Sequence, residues 1–204
     1  MHIVCLDLES VLIPEIWVTI ANITNIEELY LTTRDVANYE VLMNKRLEVL
    51  RRYNLKLEDL LKIIETIRPL NGALPFLEWL RHNFPTIILT DSFSEFVKPL
   101  AKKLKYPTFF SNFLEIDKQG YINNYIIRLQ NGKERTVKTL KTLRFETIAI
   151  GDSYNDIEML KEADIGILFN PSKTICENFP DLPVVDNYMG LKQLIKKWTL
   201  SSNK

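Results

Sequence analysis

Cysteine is scarce in this sequence: Cys5 and Cys176 are the two in 204 residues. That excludes a disulfide framework and favours a reducing compartment. Cys5 sits in an apolar run and reads as a small buried hydrophobe. Charge imbalance is also missing, with 26 Lys plus Arg against 26 Asp plus Glu, so nothing global draws the chain to nucleic acid or to an anionic membrane. The local basic run Lys98, Lys102, Lys103 and Lys105 has helical spacing and reads as a solvated face. No uninterrupted apolar run approaches the ~18 residues of a membrane span. Asp7, Glu9 and Glu15 break the apolar N-terminal stretch and no basic segment precedes it, so it is not read as a signal peptide. Repeats and low-complexity segments are absent. These absences lead to the expectation of a cytoplasmic globular protein with no nucleic-acid or membrane partner. The length suits one core domain with a small insertion.

What the sequence does contain is a regular alternation. His2 to Leu8 is an apolar run that ends in an acid and predicts a buried strand. From about residue 14 to 68 the spacing is helical, as in Tyr39, Leu42, Met43, Arg46, Leu47 and Leu50, and again over Leu57 to Ile67. Beyond Leu70, helices are predicted over 72–83, 93–104, 133–143, 155–163 and 190–198. Strands are predicted over 86–90, 147–150, 165–169 and 184–185. The segments 113–116 and 121–129 read as a hairpin turning at Gly120. Strands alternating with helices predict an α/β fold: a three-layer, Rossmann-like core with a parallel sheet. The helical stretch 14–69 is inserted after the first strand, and 1–13 with 70–204 form the core.

Several strands end in acidic or hydroxyl residues: Asp7 and Glu9 after Ile3–Leu6, Thr90 and Asp91 after Ile87–Leu89, Asp152 after Ile148–Ile150. In an open parallel sheet, ligands bind beyond the carboxyl ends of the strands, so Asp7, Thr90, Asp91 and Asp152 are expected at one crevice. Each acid alone is an ordinary helix cap after a strand. Together they are harder to dismiss. Converging carboxylates repel one another unless a cation neutralises them, and hard oxygen donors of this kind suit Mg²⁺.

Asp7-Leu8-Glu9-Ser10-Val11, Thr90, Lys133 and Gly151-Asp152-Ser153-Tyr154-Asn155-Asp156 together resemble the four motifs of the haloacid dehalogenase superfamily. Val11-Leu12-Ile13-Pro14-Glu15-Ile16-Trp17, Thr32-Thr33-Arg34-Asp35, Leu114-Glu115-Ile116-Asp117 and Gly166-Ile167-Leu168-Phe169 extend the likeness. Over nearly the whole chain it resembles the bifunctional phosphoserine phosphatase/homoserine phosphotransferase family. Glu9 departs from the superfamily's usual second Asp, but the subfamily also has Glu.

The resemblance implies a Mg²⁺-dependent phosphatase in which Asp7 is the nucleophile, transiently phosphorylated, and Glu9 is the general acid and base. It implies a metal held by Asp7, Asp152 and the Glu9 main-chain carbonyl. Thr90, the Asp91 amide and Lys133 would bind the phosphoryl group, and Asn155 would orient the substrate. Glu15 would take the ammonium and Arg46 the carboxylate of phosphoserine, with homoserine as a second acceptor beside water. Residues 14–69 would form a cap over the site, and a homodimer is compatible with the family. Asp156 is left between supporting the site and capping a helix, and Arg34 as an additional anion contact. Two alternatives stay open: another small phosphomonoester as substrate, and a phospho-accepting module without turnover. The helical insertion and the spacing from Lys133 to Gly151-Asp152 fit the second poorly.

Overall fold

The computed structural model describes residues 1–32, 36 and 38–202. Thr33, Arg34 and Asp35 of the motif quoted above lie outside the described residues, as do positions 203 and 204 of the tail expected to fray. Ser201 still belongs to the last helix.

The apolar runs form strands β1 (His2–Leu6), β2 (Thr86–Phe93), β3 (Thr108–Ile116), β4 (Ile122–Ile126), β5 (Glu146–Gly151), β6 (Ile165–Phe169) and β7 (Val184–Val185). They join one sheet in the order β4-β3-β2-β1-β5-β6-β7. Every neighbouring pair is parallel except the β3–β4 hairpin. From β1 the chain builds outward on one side through β2, β3 and β4, then returns to β5 on the other. The winding reverses at β1, which makes its carboxyl end the switch point where a ligand crevice opens.

Between these strands lie helices α1 (Ile16–Thr24), α2 (Tyr39–Arg52), α3 (Leu57–Ile64), α4 (Ala73–Asn83), α5 (Ser94–Lys103), α6 (Gly132–Thr142), α7 (Ile157–Glu162), α8 (Lys173–Asn178) and α9 (Tyr188–Ser202). Alternate strand residues face opposite sides of the sheet, and the buried residues divide accordingly. Val4, Leu6, Ile88, Ile148, Ile150 and Ile167 pack with α4, α5 and α9 and with α1–α3. Cys5, Leu89, Ala149 and Leu168 pack with α6, α7 and α8. That is the expected three-layer arrangement. The apolar faces of α1–α3 share one buried cluster with the sheet, so the insertion rests on the core. None of the described helices is long and apolar enough to cross a membrane.

Several boundaries differ from the sequence reading. β3 begins at Thr108, before Phe113, and its first half pairs with β2; Ser111 and Asn112 had masked the apolar pattern. β4 ends at Ile126, short of Leu129, because Asn131 turns left-handed (φ 51°) to start α6. The stretch 155–163 is a 3-10 turn (Tyr154–Asp156) followed by α7. α2 starts at Tyr39 because the Asn38 side chain accepts from the Val41 amide at 3.1 Å, an N-cap. α8 carries a single buried apolar residue, Ile175, too little to register as periodicity.

Candidate active site

Strand register brings the acids together. Leu6 faces Ile88 on one side and Ile150 on the other. Asp7 and Asp152 lie just past the ends of β1 and β5, and Thr90 lies within β2 two residues after Ile88, at the same edge of the sheet. The Asp7 amide donates to the Ile150 carbonyl at 2.9 Å, which ties the end of β1 to β5. The chain then folds back tightly. Ser10 is left-handed (φ 60°), and its amide donates to the Ile13 carbonyl at 2.7 Å. Leu8, Val11, Leu12 and Ile13 bury the turn's apolar side. Glu9 and Ser10 are its polar members.

The described residues form a cavity of about 70 Å³ at this edge, lined by Asp7, Glu9, Glu15, Trp17, Thr32, Tyr39, Arg46, Thr90, Asp91, Ser92, Phe93, Lys133, Asp152, Ser153 and Asn155. Every site residue expected from the sequence is on it. Asp156 stands directly behind, wholly buried.

Lys133, on the first turn of α6, is the buried cation of the cluster. Its Nζ lies 2.8 Å from Asp7 Oδ1, 2.8 Å from Asp156 Oδ1 and 3.4 Å from Asp91 Oδ2. Those three carboxylates hold its proton far above the usual lysine range despite burial. The other oxygen of Asp156 accepts from the Asp152 amide (3.0 Å) and the Ser153 amide (3.2 Å). Asp156 therefore joins both roles considered for it: it caps the 3-10 turn through the Ser153 amide and supports the site by anchoring Lys133. It fits because residue 151 is glycine: a Cβ there would stand 2.4 Å from the Asp156 Cβ and Cγ. Burial first, then the charges of Asp156 and Asp152, push the Asp7 carboxyl up, although Lys133 opposes them.

Asp7, Asp152 and Asp156 present carboxylate oxygens within 4.8 Å of one another. This donor set fits a hard divalent cation. Both Asp156 oxygens are engaged by Lys133 and the loop amides; Asp7 and Asp152 complete the donor set.

Glu9 lines the same cavity. Its Oε2 accepts from the Ile16 amide at 2.7 Å, so it caps α1 from outside the helix, a favourable place for an anion. Burial, and next the Glu15 charge, nevertheless raise its pKa to about 8. Glu15 Oε1 accepts from the Ser10 hydroxyl at 3.2 Å. Arg46, on α2, is 6 % exposed. Its guanidinium lies 4.5 Å over the Trp17 ring and donates from Nη2 to the Leu31 carbonyl at 2.9 Å. Burial lowers its pKa to about 10, so it stays charged at neutral pH. Its Nε–H is buried without a partner among the described residues.

Thr90 Oγ1 accepts from the Ser92 amide at 3.1 Å. The Asp91 carbonyl receives Asn112 Nδ2 at 2.9 Å and the Tyr39 hydroxyl at 3.2 Å. Asn155 Nδ2 donates to Asp91 Oδ2 at 2.8 Å. Trp17, Tyr39, Asn112 and Ser153 were not singled out from the sequence. Asn112 ends the parallel part of β3, and the strand-end rule would have found it had β3 been recognised from its start. Ser153 and Trp17 stood inside quoted motifs. Tyr39 carries no local signal beyond apolar spacing.

Known proteins match this arrangement. The family described as haloacid dehalogenase-like hydrolase matches residues 2–164. The chain is 45 % identical over 193 residues to phosphoserine phosphatase ThrH of Pseudomonas aeruginosa, covering 95 % of this chain and 94 % of that protein. It is 43 % identical over 204 residues to a phosphoserine phosphatase of Pseudomonas syringae pv. tomato, covering 100 % and 85 %. A solved phosphoserine phosphatase carrying a phospho-aspartyl intermediate analogue superposes with a TM-score of 0.76 at 23 % identity, over 96 % of this chain and 98 % of that one; at that identity the likeness shows the fold. With the family match running from β1 to the residue before β6, and relatives alike almost end to end, the chain belongs to the haloacid dehalogenase-like hydrolases.

Proposed function

We propose that this protein hydrolyses O-phosphoserine through an aspartyl-phosphate on Asp7. The observation that carries the reading is the pairing of two halves in one cavity. Asp7 with Lys133 suits phosphoryl chemistry, while Arg46, whose buried Nε–H has no partner among the described residues, suits an amino acid's carboxylate, and Glu15 on the same cavity suits its ammonium. A buried, unsatisfied donor is costly unless a ligand meets it, and a guanidinium matches a carboxylate bidentately. The names of the two Pseudomonas relatives support the same substrate.

In this reading Asp7 Oδ attacks phosphorus, and the bond from phosphorus to the serine oxygen breaks. Glu9 gives that oxygen its proton, then takes one from the water that attacks the acyl phosphate, releasing inorganic phosphate. A carboxyl held near 8 suits both halves of that duty. Thr90, the Asp91 amide and Lys133 hold phosphoryl oxygens, and Asn155 orients the substrate. Asp7, Asp152 and the Glu9 carbonyl would hold Mg²⁺, which supplies positive charge against the phosphate and the carboxylates. The cavity, about 70 Å³, is less than half the ~150 Å³ that admits benzene. The helices of 14–69 must therefore part from the core to admit phosphoserine, as a cap would. Two free cysteines suit the reducing cytoplasm as its location.

Homoserine is a second acceptor in this reading, because Glu15 and Arg46 address the amino acid backbone that serine and homoserine share. A phosphate-release screen across phosphomonoesters with Mg²⁺, with Asp7→Asn as control, tests the main reaction. Full activity in the control, or no preference for phosphoserine, would overturn it. Adding homoserine and looking for phosphohomoserine tests transfer; free phosphate unchanged by homoserine would refute that part.

A further inference from the structure

The role given above to Asp91 uses its main-chain amide and asks nothing of its side chain. Yet that side chain is engaged at the centre of the site. A lysine ammonium has three N–H donors, and Lys133 has three carboxylates within ion-pair reach: Asp7, Asp156 and Asp91. Two of those donors are spent on Asp7 and Asp156, and the Asp91 carboxylate is the third anion within ion-pair distance. A phosphoryl group arriving at Asp7 brings further negative charge to Lys133 and competes with one of these carboxylates. Asp7 is the group that reacts. The Asp156 side chain is 0 % exposed and is fixed by two backbone amides. The Asp91 side chain is 43 % exposed and makes the longest of the three contacts.

The same oxygen, Asp91 Oδ2, also accepts from Asn155 Nδ2. One carboxylate oxygen thus accepts from Asn155 and stands beside the Lys133 ammonium, two groups suited to a phosphoryl oxygen. Meanwhile the main chain at Asp91 is pinned through its carbonyl by Asn112 and Tyr39. Leaving the donors needs only rotation of an exposed side chain, with the phosphoryl-binding turn kept in place.

We propose that the Asp91 carboxylate is an internal competitor for the phosphoryl site. It holds Lys133 and Asn155 in position when no phosphoryl group is bound, is displaced by the incoming one, and returns to help expel inorganic phosphate. The inference rests on the phosphatase reading above but concerns product release, which that reading leaves unspecified.

The test is direct binding of inorganic phosphate, by calorimetry with excess Mg²⁺, to the wild type, Asp91→Ala and Asp91→Asn. Asp91→Ala should bind phosphate about tenfold tighter, the scale of one freed charge-assisted contact. Asp91→Asn, which keeps an accepting oxygen, should gain less. In steady state, both KM and kcat should fall in Asp91→Ala as phosphate leaves more slowly. Loss of a nearby negative charge would also favour an anion, so the comparison is repeated in Asn155→Ala. Competition predicts a smaller gain from Asp91→Ala there; an undiminished gain identifies a mere charge effect and overturns the proposal. Unchanged or weaker phosphate binding in Asp91→Ala overturns it too, as does no measurable binding by any of the proteins. Thermal melts of the variants confirm folding. Because binding is read without turnover, failure to hydrolyse phosphoserine would refute the proposed function separately.

Discussion

Three converging carboxylates make a site that is unstable in itself, and this gives a quantitative prediction for Asp7→Asn. Oxygens of Asp7, Asp152 and Asp156 lie within 4.8 Å of one another. At that distance and an effective dielectric of about 20, each charged pair repels by about 3.5 kcal/mol. The substitution removes two such repulsions. It also removes the attraction to Lys133 at 2.8 Å, about 6 kcal/mol on the same scale, while Lys133 keeps Asp156 and Asp91. The two effects nearly cancel, and relief from burying the Asp7 charge decides the sign. Asp7→Asn should therefore stabilise the metal-free protein by about 1–3 kcal/mol, or raise Tm by about 2–12 °C for a chain of this size, while abolishing hydrolysis. The pH dependence follows from the same charges. Because the folded protein holds the Asp7 proton above the ordinary carboxylate range, it binds more protons than the unfolded chain there, so the metal-free wild type loses stability as pH rises above about 4. Asp7→Asn should lose less. Thermal melts in EDTA across pH 5–8, with and without Mg²⁺, read all of this, and Mg²⁺ should stabilise the wild type more than the variant. A lower Tm for Asp7→Asn in EDTA, or equal Mg²⁺ shifts in both proteins, would refute the reasoning.

Arg46→Ala should raise KM for phosphoserine by about 30- to 1000-fold, the cost of about 2–4 kcal/mol for a lost buried charge-assisted pair; steady-state kinetics showing an unchanged KM would sink the carboxylate assignment. Glu9 must be protonated to assist the leaving group, so activity should decline as pH rises through about 8. Glu15→Gln removes the anion that, after burial, most raises Glu9, and should move that decline to lower pH; a profile that stays in place contradicts the assignment. Gly151→Ala should drive Asp156 off Lys133 and cost about 1–3 kcal/mol through overpacking, with kcat falling far more than KM. Full activity in that variant would show that the Asp156 anchor is dispensable.

The sequence alone determined what depends on neighbours along the chain. Apolar runs of strand length ended in Asp7, Thr90 and Asp152, helical spacing marked α2 and α6, and the family resemblance implied that Lys133 joins the acids. A parallel α/β sheet delivers such strand ends to one edge, so the crevice followed from local pattern and a general rule of topology. The tertiary structure decided what depends on distance through space. Asp156 read equally well as a helix cap until Lys133, 23 positions away, was seen against it, with the space beside Gly151 to receive it. Trp17 of α1 and Arg46 of α2 meet as a ring and a guanidinium, and Tyr39 reaches the Asp91 carbonyl across 52 positions. Asp91 itself offered only a residue type and a place at a strand end. That its carboxylate stands on the donors a phosphoryl group would use is set by the packing of α6 and the strand-end loops. Electrostatic coupling falls with separation in space and is indifferent to separation in sequence, so no local pattern could have shown it.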